Sequence, residues 1–182
     1  HRIAKETMEI YAPLSDRMGM NRIRDELEDL SFSVLNNKAR NLILKRLNFI
    51  KDNKVNTFNE ISSELIELLQ RNNVKAKITG REKTPFSIWI KIQRKKISLE
   101  QLTDIVGFRI IVNSIEDCYK TLGIFHSQYS TIPGKFKDYI STPKINKYKS
   151  IHTSLIGPNK QRIEVQIRTT EMHEFAERGI AS

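Results

Sequence analysis

Residues able to carry chemistry stand near the end of the sequence, where Glu164, Gln166 and Arg168 alternate with branched apolar residues. Because successive side chains of a strand point to opposite faces, an acid, an amide and a guanidinium would share one face. A solvated sheet face shows the same pattern, and the alternation alone favours that simpler interpretation. Asp104 precedes another apolar strand pattern, where capping a turn is commoner than binding a metal. If Asp104 and Glu164 converged, they would suit Mg²⁺, a hard cation that prefers oxygen ligands and phosphates.

A first group of basic residues follows Gly80 and would suit phosphate. Arg81 and Lys83 come directly after it, and more lysines and arginines follow an apolar segment that begins at Ser87. Arginine forks onto phosphate oxygens or stacks on a purine, whereas lysine supplies a point charge. A solvated basic surface is the usual interpretation, but the apolar segment predicts that this group is anchored against the core.

A second group of basic residues lies in residues 131–147, whose prolines and glycine predict a long loop. Lys137 and Lys144 stand there among aromatic residues, with Tyr148 just beyond. Aromatic rings among cations would stack a base and hold its phosphates, and single-stranded nucleic acid is bound in the same way. His152 follows; a histidine in a strand is more often structural, or a donor to phosphate, than a general base.

The elements that must position these residues begin with helices. Apolar residues at helical spacing predict helices over residues 3–18, 20–30 and 43–50. Pro13 predicts a kink or an end within the first of them. Thr57 with Glu60 forms a capping box, which predicts that a further helix starts there and ends at Asn72 and Asn73.

Strands interleaved with helices follow. Apolar residues with a period of two predict strands over residues 74–78, 108–112, 151–155 and 163–167. Ser98 with Gln101 predicts a short helix before the second strand, and Ser114 predicts the start of another helix after it. This order predicts an α+β fold around a mixed sheet, without a glycine-rich phosphate-binding loop.

The composition favours an anionic partner. Thirty-one Lys and Arg against 21 Asp and Glu leave a formal net charge of +10, which attracts nucleotides, nucleic acid or a membrane surface. No run approaches the roughly 20 apolar residues of a membrane span, and the single cysteine, Cys118, cannot form an internal disulfide. We therefore predict a cytoplasmic protein. The chain begins with His1 rather than Met, and we interpret it as a piece of a longer protein.

Motifs spread over nearly the whole chain resemble those of the RelA/SpoT family, in that family's order. The matching segments are EIYAPL at residues 9–14, DELEDLSF at 25–32, GREK at 80–83, FSIW at 86–89, DIVGFR at 104–109, PGKFKDYI at 133–140, YKSIHT at 148–153 and EVQIRT at 164–169.

The resemblance implies a nucleotidyltransferase-like α+β fold, with a mixed β-sheet flanked by helices. Residues 1–32 would form a helical linker after a hydrolase domain, and residues 33–182 a synthetase domain from a bifunctional enzyme. The implied activity moves pyrophosphate from ATP to the 3′-hydroxyl of GDP or GTP, which makes the stringent-response alarmone (p)ppGpp. The hydrolase domain, downstream domains and the ribosome would regulate it, and no membrane would be involved.

The resemblance also implies roles for single residues. Asp104 and Glu164 would hold Mg²⁺, with Mn²⁺ as an alternative, and Glu164 would take the proton from the attacking hydroxyl. Arg81 would contact the adenine of ATP, with Lys83 and Ser87 near its phosphates. The guanine-nucleotide pocket would be formed by Tyr148, Lys137, Lys144, Asn146, His152, Gln166 and Arg168.

Within that pocket, Tyr148 would stack on the guanine. Lys147 stands where the family usually has Gly, and Lys149 where it has Gln. In a left-handed conformation Lys147 would be strained by about 1 kcal/mol. The basic motif at residues 135–138 accompanies bifunctional enzymes and a preference for GDP.

Two other functions are alternatives. A catalytically degenerate domain would bind nucleotide only to regulate the upstream hydrolase, and disorder of the guanine loop would support it. An RNA-binding module would fit the charge and the loop aromatics and would show a steep salt dependence without Mg²⁺. Asp104 and Glu164 argue against RNA, because carboxylates repel a phosphate backbone unless a metal intervenes.

Overall fold

The computed structural model describes residues 1–96 and 106–179, which form two compact units. The first unit holds residues 1–53, 83–96 and 175–179, and the second holds residues 54–82 and 106–174. No helix in these described ranges is long and apolar enough to cross a membrane. The elements in chain order are α1 (Arg2–Glu6), a π-helical segment (Thr7–Tyr11), α2 (Ala12–Arg17), α3 (Asn21–Leu35), α4 (Asn37–Arg71), β1 (Lys77–Glu82), α5 (Pro85–Lys95), β2 (Val106–Val112), α6 (Ile115–Gln128), β3 (Ser130–Thr131), β4 (Lys137–Asp138), β5 (Ile151–Ile156), a 3₁₀ turn (Pro158–Lys160), β6 (Arg162–Thr169) and α7 (Thr170–Arg178).

The break predicted in the first helix takes the form of the π-helical segment. At its end the Ala12 N–H donates to the Thr7 carbonyl, five residues back. Pro13 has no amide hydrogen and cannot make the ordinary helical bond to Glu9. A wider turn just before the proline therefore carries the helix past it.

The first unit has an apolar core between three of its helices. Phe32 of α3, Ile43 of α4 and Ile88 of α5 are buried together. The rings of Phe86 and Trp89 lie 5.5 and 5.9 Å from the Phe32 ring. This confirms that the apolar segment beside the first basic group is anchored in a core.

A mixed sheet forms the centre of the second unit, in the order β1-β2-β6-β5-β3 with β4 paired to β5. β2 and β6 are parallel, and the other neighbours are antiparallel. The apolar face of the sheet packs against α4 and α6, which flank it. Their core residues are Ile61, Leu65 and Leu69 of α4, and Cys118 and Phe125 of α6. The predicted α+β fold with a mixed sheet flanked by helices is confirmed.

One predicted helix start is wrong. α4 runs unbroken from Asn37 to Arg71, so Thr57 and Glu60 lie inside it. The Thr-x-x-Glu pattern caps a helix only where the preceding chain is not helical, and no Pro or Gly between Asn37 and Thr57 stops this helix. The predicted end is confirmed, because Asn73 follows α4 in the left-handed region at a φ of 56°.

Two helices were not predicted from the pattern. α5 starts after Thr84, whose Oγ1 accepts a hydrogen bond from the Ser87 N–H at 3.2 Å. α7 starts after Thr169, whose Oγ1 accepts one from the Met172 N–H at 3.2 Å. Both are short, and their threonine caps are the signals that could have found them.

The remaining predicted bounds need smaller corrections. β1 begins at Lys77 rather than at residue 74, and β6 extends one residue before and two after its predicted range. α6 begins after Ser114, whose Oγ accepts from the Asp117 N–H at 3.0 Å, as predicted. The short helix predicted after Ser98 lies outside the described residues.

Candidate functional site

Glu164, Gln166 and Arg168 of β6, here called the polar row, lie on the face of the strand opposite its core residues. Gln166 is only 3% exposed and Arg168 only 2%, and Glu164 is half-buried. The interpretation of this face as solvated is therefore wrong. Burying a guanidinium costs several kcal/mol unless other groups compensate its charge, so the polar row indicates a site rather than a surface.

Neighbouring strands place more polar groups on the same side of the sheet. Arg109 of β2 and His152 of β5 are both in register with Gln166. Arg81 of β1 lies in the same cross-strand row as Glu164, two strands away. Paired positions share a face of the sheet, so these side chains and the polar row define what we call the polar side.

Charge and burial keep His152 neutral. Burial first, and then the positive charge of Arg81, lower its pKa to about 4, although Glu164 acts in the opposite direction. Lys144 and Arg168 lower the pKa further. At neutral pH His152 can therefore accept or donate one hydrogen bond at each ring nitrogen without adding a charge.

Tyr139, Tyr148 and His152 form an aromatic cluster with edge-to-face contacts. The Tyr139 ring centroid lies 6.1 Å from that of Tyr148 and 5.2 Å from that of His152. The Tyr148 hydroxyl is 2.9 Å from His152 Nε2. The Lys144 ammonium lies 5.0 and 5.1 Å from the centroids of the two tyrosine rings. Such a cluster holds its rings in fixed orientations and sets a cation beside them, as stacking of a nucleotide base requires.

A tight turn presents Tyr148 to this cluster. The Lys147 N–H donates to the Lys144 carbonyl at 2.8 Å, and the Lys144 N–H donates to the Tyr148 carbonyl at 3.2 Å. The Asn146 Oδ1 accepts from the Tyr148 N–H at 3.2 Å. Lys147 has a φ of 61°. Lys147, which stands where the family usually has glycine, therefore has a left-handed backbone conformation and bears a strain of about 1 kcal/mol.

A groove of about 550 Å³ lies along the polar side of β1 and β2. Cationic and hydrogen-bonding side chains contribute to its lining, which favours an anionic or nucleotide ligand. Its lining includes Lys75, Lys77, Thr79, Arg109, Asn113 and His173.

The other predicted site residues are distributed as follows. Lys137 on β4 is in register with His152 and is exposed. Lys83 follows β1 and Ser87 lies in the first turn of α5, both in the first unit. Asp104 lies outside the described residues. Within residues 1–96 and 106–179, no group of three or more His, Cys, Asp and Glu side chains is arranged to hold a metal.

Two members of the site were not among the predicted site residues. Arg109 alternates with the core residues of β2 as the polar row does in β6, and this period is the signal that could have identified it. Tyr139 is one of the loop aromatics, but its contacts with Tyr148 and His152 depend on how β4 and the loop after it fold against β5. The apolar period does not report such contacts.

The mixed sheet flanked by helices is an α+β fold of the nucleotidyltransferase-like type. The sequence model of the region found in RelA / SpoT proteins matches residues 80–182. The chain belongs to this family.

Individual relatives agree with this assignment. The GTP pyrophosphokinase rsh of Brucella abortus is 49% identical over 181 residues, which are 100% of this chain and 24% of that protein. The guanosine-3′,5′-bis(diphosphate) 3′-pyrophosphohydrolase of Aquifex aeolicus is 48% identical over 185 aligned positions, which cover 100% of this chain and 26% of that protein. The crystal structure of small alarmone synthetase 2 from Bacillus subtilis is similar at a TM-score of 0.53 and 30% identity, over 66% of this chain and 70% of that one. The chain thus spans about a quarter of the length of the first two relatives.

Proposed function

We propose that this chain transfers pyrophosphate from ATP to the 3′-hydroxyl of GDP or GTP and so makes the alarmone (p)ppGpp of the stringent response. The observation that carries the proposal is the polar row of β6, which is withdrawn from solvent beside cations and the aromatic cluster. Two similar proteins, named GTP pyrophosphokinase and small alarmone synthetase, support it. The relative named pyrophosphohydrolase fits as well, because the chain covers only 26% of it, and hydrolysis would belong to another part.

The acceptor nucleotide is assigned to the aromatic cluster. Tyr148 stacks on the guanine, and its hydrogen bond to His152 and its contact with Lys144 support the ring in one orientation. Lys137 and Lys144 provide positive charge for the acceptor's phosphates. Gln166, Arg168 and the Asn146 turn complete the pocket in this proposal.

The donor nucleotide is assigned to the side of the sheet formed by β1 and β2. Arg81 contacts the adenine of ATP, and Lys83 and Ser87 contact its phosphates. Arg109 joins this set in our proposal, because it lies on the same face as Arg81 and lines the cationic groove. The formal charge of +10 attracts both polyanionic substrates.

The reaction asks for alignment more than for covalent chemistry. The acceptor 3′-oxygen attacks the β-phosphorus of ATP, the bond from that phosphorus to the α,β-bridging oxygen breaks, and AMP leaves with this oxygen. Glu164 takes the proton of the attacking hydroxyl. Arg168 stabilises the negative charge that develops on the phosphoryl oxygens.

Mg²⁺ is the proposed cofactor, held by Asp104 and Glu164. The half-buried Glu164 carboxylate is an oxygen ligand of the kind Mg²⁺ prefers. Asp104 lies outside the described residues, and its part in this proposal rests on the resemblance of the sequence to the family. When bound, the cation would neutralise charge on the transferred phosphates.

The direct test incubates the chain with ATP, Mg²⁺ and either GDP or GTP and separates the products by anion-exchange chromatography. We expect AMP and a guanosine tetraphosphate or pentaphosphate in equal amounts. Glu164→Gln should reduce the rate by about 10²- to 10⁴-fold while nucleotide binding persists. Glu116→Gln, at an exposed acid in the first turn of α6, is the matched control and should be fully active.

The same experiment separates the alternatives. If nucleotide binds but no AMP forms with either acceptor and with Mg²⁺ or Mn²⁺, the chain is a degenerate regulatory domain. If RNA binds tightly without a divalent ion and the nucleotides do not, it is an RNA-binding module. The similar proteins favour neither outcome.

The wider context of the chain stays a set of predictions. These are a linker at residues 1–32 and a synthetase domain at residues 33–182, location in the cytoplasm, and control by hydrolase and regulatory domains and by the ribosome. The fact that the chain spans about a quarter of its relatives' length supports the presence of further domains.

A further inference from the structure

The loop that carries Tyr139 is held by one carboxylate at the end of β4. Asp138 Oδ1 accepts hydrogen bonds from the Ile140 N–H at 2.8 Å and the Ser141 N–H at 3.0 Å. Asp138 Oδ2 accepts one from the Tyr119 hydroxyl of α6 at 2.9 Å. One oxygen therefore closes the loop's own turn, and the other ties that turn to a helix.

The chemistry of both partners suits this arrangement. Burial opposes the charge of Asp138, but the hydrogen bonds from Ser141, Tyr119 and Ile140 outweigh it and lower the carboxyl pKa. Burial and the bond to Asp138 raise the pKa of Tyr119, so its hydroxyl remains a donor. Hydrogen bonds to an ionised acceptor are the stronger and more directional kind.

Tyr139 is fixed from both sides as a result. The amides that follow it are bound by Asp138, which precedes it, and its own N–H donates to the Ser150 carbonyl at 2.9 Å. Its ring then meets Tyr148 and His152 in the aromatic cluster. Movement of the Asp138 turn would therefore displace one wall of that cluster.

The helix α6 has a second contact with the same loop. His126 lies seven residues after Tyr119, which is about two turns further along the same face of the helix. Its Nε2 is 2.9 Å from Thr153 Oγ1, and its ring lies edge-on to Phe136 at 5.9 Å. One face of α6 therefore touches the loop both at Phe136 and at Asp138.

We propose that Tyr119 is a positioning residue for the acceptor nucleotide: its hydroxyl holds the Asp138 carboxylate, which holds the turn that sets Tyr139 against Tyr148. This inference rests on the proposed function. Tyr119 itself lies in α6 and touches the aromatic cluster through Asp138 and its turn. Its loss should weaken acceptor binding and leave the donor side and the chemical step unchanged.

Tyr119→Phe removes the hydroxyl and keeps the ring, and Tyr129→Phe is a matched control. Tyr129, which directly follows α6, also donates its hydroxyl to a carboxylate, that of Glu64 at 3.1 Å, but Glu64 belongs to α4 and not to the loop. We expect Tyr119→Phe to raise the KM for GDP by about 3- to 10-fold, with the KM for ATP and kcat within about twofold. Tyr129→Phe should change none of the three. The proposal would be overturned if Tyr129→Phe raised the KM for GDP as much as Tyr119→Phe does. It would also be overturned if Tyr119→Phe raised the KM for ATP as much as the KM for GDP.

Hydrogen exchange gives a readout that does not require activity. The amides of Ile140 and Ser141 should exchange about 3- to 10-fold faster in Tyr119→Phe than in the wild type, and unchanged exchange would contradict the mechanism. Direct titration with GDP should show the same loss of affinity as the KM. If the wild type binds GDP but transfers nothing, the proposed function fails, while exchange and titration still decide the role of Tyr119. If the amides exchange faster but the affinity for GDP is unaltered, Tyr119 stabilises the turn without affecting acceptor binding, and the proposal is wrong.

In the Asp138→Asn background, Tyr119→Phe should raise the KM for GDP by less than about a further twofold, because both substitutions break the same hydrogen bond. Independent effects of the two substitutions would mean that Tyr119 acts by another route.

Discussion

At strand β6, side chains on both faces of the sheet in the second unit are withdrawn from water, for opposite reasons. On one face Val165 and Ile167 of β6 pack with α4 and α6 and are completely buried. On the other, Gln166 and Arg168 are almost as inaccessible. Burying an isoleucine stabilises a protein by about 1.5–3 kcal/mol, whereas burying a guanidinium opposes folding unless other groups compensate it. Burial by itself therefore does not distinguish a core from a site; the chemistry of the buried groups does.

The comparison extends to the neighbouring strands. The core face continues through Phe108 and Ile110 on β2 and Leu155 on β5, whereas the polar side continues through Arg109 and His152. Stability should depend mainly on the first face and nucleotide chemistry on the second. Substitutions on the two faces should then separate the free energy of unfolding from activity.

The largest effect on stability is expected from Ile167→Ala, between two members of the polar row. Removing this fully buried side chain should lower the free energy of unfolding by about 2–5 kcal/mol. The remaining folded protein should keep its kcat. Glu164→Gln should do the reverse, with a change in unfolding free energy below about 1 kcal/mol and loss of transfer. Urea denaturation and single-turnover assays of both variants measure the two quantities. Equal losses of activity would remove the distinction between the faces.

A smaller effect follows from the neutral His152 of the polar side. Its pKa is about 4 in the folded chain against an ordinary value of 6.5. As the pH falls below about 6.5, the unfolded chain binds this proton first, so the unfolding free energy decreases until the pH reaches about 4. Between about pH 7 and pH 5 the expected loss is about 2 kcal/mol.

His152→Gln isolates this contribution from the carboxylates, which titrate at lower pH. Urea denaturation at both pH values should show a shallower pH dependence in the variant. The same slope in both proteins would mean that His152 is not held neutral by burial and by its cationic neighbours.

The sequence predicted which side chains share a face of the sheet, but it did not predict which of them are buried. The alternation in β2, β5 and β6 reports which side chains share a face, because that depends only on local backbone geometry. It could not show that Gln166 and Arg168 are buried, since burial depends on strands and loops distant in sequence. The hydrogen bond from Tyr119 to Asp138 was out of reach for the same reason. The helix start predicted at Thr57 is wrong because a capping box starts a helix only where the residues before it are not helical, and no Pro or Gly interrupts the helix before Thr57.

Tyr148→Ala tests the base-stacking wall of the polar side. Loss of the ring should weaken GDP binding by about 1–3 kcal/mol and leave the affinity for ATP within about twofold. Tyr148→Phe keeps the ring but removes the hydroxyl that meets His152, so it should lose less than the alanine variant. Titration calorimetry with each nucleotide provides the measurement. If Tyr148→Ala weakens the binding of ATP as much as that of GDP, Tyr148 stabilises the domain as a whole and does not stack on the guanine.

The smallest effect is expected at Lys147, whose left-handed backbone belongs to the turn before Tyr148. Asparagine tolerates this conformation better than lysine, so Lys147→Asn should raise the unfolding free energy by about 0.5–1 kcal/mol. Lys147→Gly should give less, because glycine also makes the unfolded chain more flexible. Lys149→Asn is the control at a nearby exposed lysine that does not have a positive φ. Since the lysine already forms the turn and its bond from Tyr148 to Asn146, GDP affinity should stay within about twofold in Lys147→Asn. A tenfold gain in GDP affinity in Lys147→Asn would instead mean that the strained backbone of Lys147 distorts the guanine pocket.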